Sequence, residues 1–246
     1  MPTAAEWAAR SPEQPRCTFF AGRTPNLGWV RPALVIFDCD GVLVDSERIH
    51  IEVEVTMLAE VGWPLTPVEV AQRFVGRSVA YQLAEIERHT GRAVPADWLD
   101  RMQRTLEERF DADLSAVDGI DDALHWLDRE GIPTYVASSG SHEKMRQTLG
   151  KTGLWERFAG RIISRSDVAN GKPAPDLVLL AAERAGAEPA ECVVVEDSPY
   201  GLRGARAAGM RGVGYATELI ELAVLSADSD IVIHDMRDLP AAIAGL

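Results

Sequence analysis

Four short stretches hold the residues whose types and spacing could do chemistry. Asp38-Cys39-Asp40-Gly41 sets two carboxylates two positions apart, and Glu196-Asp197-Ser198 adds a second acidic pair. Ser138-Ser139-Gly140-Ser141 groups hydroxyls around a glycine, and Gly171-Lys172-Pro173 presents one lysine. Buried carboxylates are costly unless something compensates them, so the two acidic pairs raise the question of what cation they serve. An oxygen-only donor set suits Mg2+, which takes one or two carboxylates and completes an octahedral shell with water and phosphate oxygens. Asp38 and Asp197 can supply those carboxylates. Positions i and i+2 of an extended backbone point to the same side, so Asp40 can reach the ligand that Asp38 reaches. Ser138, with the backbone N–H groups of Ser139 and Gly140 leading into a helix, reads as an anion-binding nest. Lysine occurs only at positions 144, 151 and 172, so its presence in a Gly-Lys-Pro loop is informative. Acidic residues, hydroxyls and one lysine together describe a magnesium–phosphate site.

These stretches need elements that bring them together. Apolar runs at 33–37, 132–137, 161–164, 192–195, 212–215 and 230–233 read as short strands. Helical patterns at 119–130, 174–186 and 199–208 separate several of them. Such alternation implies a parallel sheet covered by helices on both faces, joined by right-handed crossovers. In that architecture ligands bind beyond the carboxyl ends of the strands, and each chemical stretch follows a strand or precedes a helix. The fold class expected is therefore α/β, a Rossmann-like parallel sheet with an inserted helical domain. The insertion is read at 46–112, where helices are expected over 48–61, 67–75, 79–89 and 96–110. Thr66-Pro67-Val68-Glu69 is a capping-box signature with proline at the first helical position. Trp98, Leu99, Met102, Leu106 and Phe110 recur at helical spacing and read as bundle core. Residues 32–45 and 113–246 are assigned to the core domain. Residues 1–31, with four prolines and no periodicity, are expected to be poorly ordered.

The chain has 246 residues, 46% hydrophobic and 26% charged, as in a soluble globular enzyme. Its net charge of −13 disfavours nucleic acid and anionic membranes as partners, since both need a basic surface. An anionic substrate would need a local positive site, which a metal ion supplies. Cys17, Cys39 and Cys192 are odd in number and lack CxxC spacing, which argues against a disulfide framework or a zinc site. The opening MPTAAEWAARSPEQPR has no apolar run, and the expectation is a cytoplasmic protein.

FDCDGVLVDSE, VASSGS, GKPAPD and VVEDSPYG, in this order and spacing, resemble the four motifs of the haloacid-dehalogenase-like (HAD) superfamily. The helical segment after the first motif resembles the subgroup with a helical cap, which includes β-phosphoglucomutase and many sugar-phosphate phosphatases. The resemblance implies that Asp38 is the nucleophile and forms an aspartyl-phosphate. Asp40 would be the general acid and base, and its backbone carbonyl would bind Mg2+. Ser138, Ser139 and Lys172 would hold the phosphoryl group, while Glu196 and Asp197 would fix the metal. His50 stands where β-phosphoglucomutase has a catalytic cap histidine, and Gly76-Arg77-Ser78 resembles the cap loop that faces the substrate.

The function expected is an Mg2+-dependent phosphatase of small phosphorylated metabolites, either sugar phosphates or phosphorylated sugar acids. A hexose-phosphate mutase is the alternative; His50 favours it, and Val79, standing where the mutase pattern has an arginine, disfavours it. A non-catalytic phospho-receiver module is a third reading. Asp40 and the cap argue against it, because a signalling aspartate needs neither a leaving-group acid nor a substrate chamber.

Overall fold

The computed structural model describes residues 17–19, 31–75, 77–217 and 225–246, the first three by backbone alone. In chain order the strands are β1 (Cys17–Phe19), β2 (Leu34–Phe37), β3 (Thr134–Ser138), β4 (Ile162–Ser164), β5 (Cys192–Glu196), β6 (Arg211–Tyr215) and β7 (Ile231–Ile233). They form one sheet in the order β1-β7-β6-β5-β2-β3-β4. Six strands run parallel, and β1 lies antiparallel to β7, with Thr18 opposite Val232. Strand β2 is central and wholly buried. Such continuous apolar strands arise because helices cover both faces of a parallel sheet. From β2 the chain builds outward through β3 and β4, then returns to the other side with β5, β6 and β7. The reversal puts a topological switch point beside β2, where open α/β sheets bind ligands.

The helices are α1 (Ser46–Glu60), α2 (Pro67–Phe74), α3 (Val79–Thr90), α4 (Trp98–Asp113), α5 (Ile120–Arg129), α6 (His142–Lys151), α7 (Trp155–Phe158), α8 (Asp176–Ala185), α9 (Pro199–Ala207) and α10 (Leu239–Gly245). Among them α1 to α4 fall between β2 and β3, before α5, as the sequence pattern predicts. The expected capping box is present: Thr66 accepts from the Glu69 amide, and the Glu69 side chain accepts from the Thr66 amide. Helix α1 packs on α2 and α4. Fully buried Trp98 donates its indole N–H to the Met57 carbonyl at 3.3 Å, tying α4 to α1. Leu58, Val70, Phe74, Ile86 and Leu106 complete that apolar interior. Where the chain leaves and re-enters the core it is cross-tied: the Asp45 amide donates to the Ser115 carbonyl and the Val117 amide to Leu43.

Some details depart from expectation. Residues 17–19 form an edge strand within the stretch expected to be poorly ordered; they pair with β7 and cover an otherwise open sheet edge. The rest of that stretch up to position 30 lies outside the described residues. Strand β3 starts at Thr134, not at 132, because Pro133 has no N–H to give to the ladder. Among the described residues no helix is long and apolar enough to cross a membrane.

Candidate active site

Asp38 follows β2 directly, and its amide still donates to the Val195 carbonyl of β5 at 2.9 Å. The side chain is therefore delivered to the sheet's carboxyl edge by the ladder itself. Lys172 Nζ lies 2.5 Å from Asp38 Oδ1 and 2.5 Å from Glu196 Oε2, all three side chains at most 9% exposed. The other Glu196 oxygen accepts from the Ser198 hydroxyl at 2.7 Å. Ser198 also caps α9 by accepting from the Gly201 amide. A Cβ on Gly201 would lie 2.0 Å from Glu196 Oε2, so only glycine leaves room for that carboxylate. Asp197 presses on Gly41 in the same way, with Asp197 Oδ2 2.0 Å from where a Cβ would stand. Gly41 also has φ +77°, a conformation that L side chains rarely adopt.

Asp38, Glu196 and Asp197 each bring one oxygen within 4.8 Å of the others, and all three are buried. Burial pushes the Asp38 carboxyl up to about 7 against the pull of Lys172, with Glu196 and Asp40 adding repulsion. Burial and the Glu196 and Asp38 charges push Asp197 well above the usual carboxylate range. Burial alone would lower Lys172, but Asp38 and Glu196 outweigh it and hold the ammonium firmly charged.

Asp40 sits in a different environment. Ser46 Oγ donates to its Oδ1 at 2.6 Å, and Lys144 Nζ donates to its Oδ2 at 2.8 Å. Burial would raise this carboxyl, but the Lys144 charge and these two hydrogen bonds outweigh it and hold it below its ordinary value. Two aspartates two positions apart are thus pushed in opposite directions, a pattern that separates acid–base roles.

Ser138, the last residue of β3, is buried, and its Oγ accepts from the Gly140 amide at 3.0 Å. One of the two amides expected to make the anion nest is thereby engaged inward. Ser139 is exposed. The loop is held by Ser164 Oγ, which donates to the Gly140 carbonyl at 2.7 Å. Ser141 caps α6, accepting from the Lys144 amide.

On the insertion, His50 packs its ring 5.5 Å from that of Phe110. Burial and the Lys144 charge push its imidazole down to about 4 against Asp40, so it is neutral at pH 7. Glu47, His50 and Glu54 recur on one face of α1. Burial, with Asp40 next, raises Glu47 to about 7. Glu54 is raised by burial and accepts from Gln82 Nε2 at 2.8 Å. Arg77 is exposed, its guanidinium 5.2 Å over the Tyr81 ring. Gly76 lies outside the described residues. Lys144, Ser46 and Glu47 are the site neighbours not anticipated from sequence. The scarcity of lysine pointed to Lys144 as much as to Lys172, but nothing local tied it to Asp40.

The sequence profile of the haloacid dehalogenase-like hydrolases matches residues 32–209, which is most of the chain. The chain belongs to that family. It is 33% identical over 177 residues to the 6-phosphogluconate phosphatase of Escherichia coli K12, covering 72% of this chain and 79% of that protein. A conserved haloacid dehalogenase-like protein from Agrobacterium tumefaciens superposes with a TM-score of 0.79 at 38% identity, covering 86% of this chain and 97% of the other. A HAD family hydrolase from Deinococcus radiodurans, solved with bound phosphate and sodium, superposes with a TM-score of 0.77 at 31% identity, over 87% and 96% of the chains. This HAD protein is accordingly an enzyme, a hydrolase from a family of phosphatases acting on small phosphorylated metabolites.

Proposed function

We propose that the chain is an Mg2+-dependent phosphatase that cleaves phosphate esters of sugars or sugar acids through a phosphoryl group carried on Asp38. The observation that carries this reading is the unlike treatment of the two aspartates. Asp38 faces Lys172 and the carboxylates Glu196 and Asp197. Asp40 is held on both oxygens by a separate pair of donors. Asp38 attacks phosphorus, since a carboxylate is a competent nucleophile for phosphoryl transfer. Lys172 neutralises the approach of the substrate oxygens to Asp38. Ser138, with Ser139 exposed beside it, is suited to hold a phosphoryl oxygen. Asp40 gives a proton to the departing alkoxide and later takes one from water. Its low-lying carboxylate suits the second step, and the incoming phosphate dianion favours the protonated form needed for the first.

The acidic cluster fits a divalent metal. Three buried carboxylates share a single ammonium, and two of them are raised far above their ordinary values. Asp38, Glu196 and Asp197 would hold Mg2+, together with the Asp40 backbone carbonyl. When bound, the ion supplies charge neutralisation for the phosphoryl oxygens. The insertion at 46–112 serves as a cap over the core formed by 32–45 and 113–246, with His50 and Arg77 on the substrate side. A mutase must grip a second phosphate in the cap. Half-exposed Val79, and Arg77 laid over Tyr81, give that reading little support. The free, buried thiols of Cys39 and Cys192 are consistent with a cytoplasmic setting.

Phosphate release from a broad panel of phosphorylated metabolites tests the proposal. Turnover of sugar or sugar-acid phosphates with Mg2+, lost on chelation, is the expected result. Release from no member of the panel overturns it.

A further inference from the structure

The phosphatase reading gives Asp40 a job but does not say what aims it. Lys144 stands at the third position of α6, where Ser141 caps its own amide. Side chains in the first turn of a helix lean back toward its N-terminus, which here directs Lys144 past Gly140 toward Asp40. A Cβ at Gly140 would lie 3.7 Å from both Lys144 Cδ and Asp40 Oδ2. The ammonium reaches Oδ2 at 2.8 Å with its side chain one-third exposed. Asp40, by its charge and its hydrogen bond, and then Glu47 keep it charged despite the burial that opposes this. The other Asp40 oxygen is held by Ser46, which belongs to the insertion, whereas Lys144 belongs to the core.

We propose that Lys144 is a positioning residue: from the core side it fixes the Asp40 carboxyl group so that this group meets the leaving oxygen of the substrate. This rests on the phosphatase reading and extends it to a lysine outside the four motifs. Removing the ammonium also makes Asp40 easier to protonate, which acts in the opposite direction. The proposal is that position outweighs charge.

The test uses leaving groups of different need. An alkyl phosphate must receive a proton as its bond breaks, whereas p-nitrophenolate leaves without one. In a two-step mechanism kcat/KM covers only binding and the first transfer, so the later hydrolysis does not obscure the contrast. With the alkyl phosphate turned over fastest in the panel, Lys144→Met should lose about 100-fold in kcat/KM, the scale of general-acid catalysis. With p-nitrophenyl phosphate the loss should be less than about tenfold. Lys144→Arg, which keeps the donor and the charge, should recover most of the alkyl activity. Lys144→Gln replaces the methionine variant if that protein does not fold. Equal losses on both esters, or no loss on either, overturn the proposal while wild-type turnover leaves the phosphatase reading standing. A wild-type protein inert toward both esters overturns the reading and this proposal with it.

Discussion

The carboxyl edge of the sheet and the helical insertion are stabilised by different physics. At the edge, Asp38, Lys172 and Glu196 are ionisable groups buried against one another, with Asp197 alongside. Each is tolerable only because the others are present. In the insertion the interior is apolar, built on Trp98, Leu58, Val70, Phe74 and Ile86. Its ion pairs, such as Arg109 with Glu52 and Arg101 with Glu60, are exposed and contribute little. The α1 face carrying Glu47, His50 and Glu54 is the exception, a polar strip in a mostly apolar bundle. The contrast teaches that the edge can set the reaction while the insertion varies around it. On the phosphatase proposal, this polar strip, and not the bundle's core, is the part of the insertion suited to meet a leaving group.

The largest expected effect on stability lies at the edge. Lys172→Met leaves two buried carboxylates without their cation, which costs about 3–5 kcal/mol. Urea unfolding of the metal-free variant measures it. A loss below about 1 kcal/mol, the scale of an exposed ion pair, would erase the distinction between the two regions.

A smaller effect follows from proton linkage. Asp38 sits at about 7 against an ordinary 3.8, and Glu47 at about 7 against 4.5. Both are raised, so the folded protein takes up protons as pH falls through 7, while the unfolded chain waits until near 4. The cost of keeping these buried carboxylates charged, with repulsion from their acidic neighbours added to it, therefore destabilises the metal-free fold fully above about pH 7 and is relieved as pH falls toward 4. A divalent cation competes with those protons. Added at about 100 times its Kd, Mg2+ should stabilise by about 2.7 kcal/mol near pH 8 and by clearly less near pH 5.5. Thermal melts with and without Mg2+ at both pH values check this, and an equal gain at both would contradict a carboxylate site.

The smallest effect concerns the bundle. Ile86→Val removes one buried methylene from the insertion and should cost about 1 kcal/mol by urea unfolding. Its kcat/KM with p-nitrophenyl phosphate should be unchanged. A change in that constant would show that packing inside the insertion reaches the chemistry.

Legibility in the sequence divides along the same line. Strand β2 and the run Cys192–Glu196 were readable because a strand buried on both faces is an unbroken apolar run ending in charge. The capping box at Thr66 was readable because its partners are three residues apart. The edge strand Cys17–Phe19 was not, since three residues show no period and its meaning comes only from β7. Lys144 could not be joined to Asp40, because 104 residues separate them and the link depends on how α6 leaves β3. Gly201 clears space for Glu196, a close approach that no spacing within the 199–208 helical pattern announces. Contacts that span the chain are set by topology, and topology is what a local pattern leaves open.

The central claim is that Asp38 carries the phosphoryl group. Enzyme mixed with a turned-over substrate and Mg2+, then quenched in acid within a single turnover, can be digested and mapped by mass spectrometry. A phosphoryl group is expected on the peptide containing Asp38, and none in Asp38→Asn, whose kcat falls by at least about 1,000-fold. A phosphoryl group on another residue, or an Asp38→Asn variant that turns over as the wild type does, would contradict it.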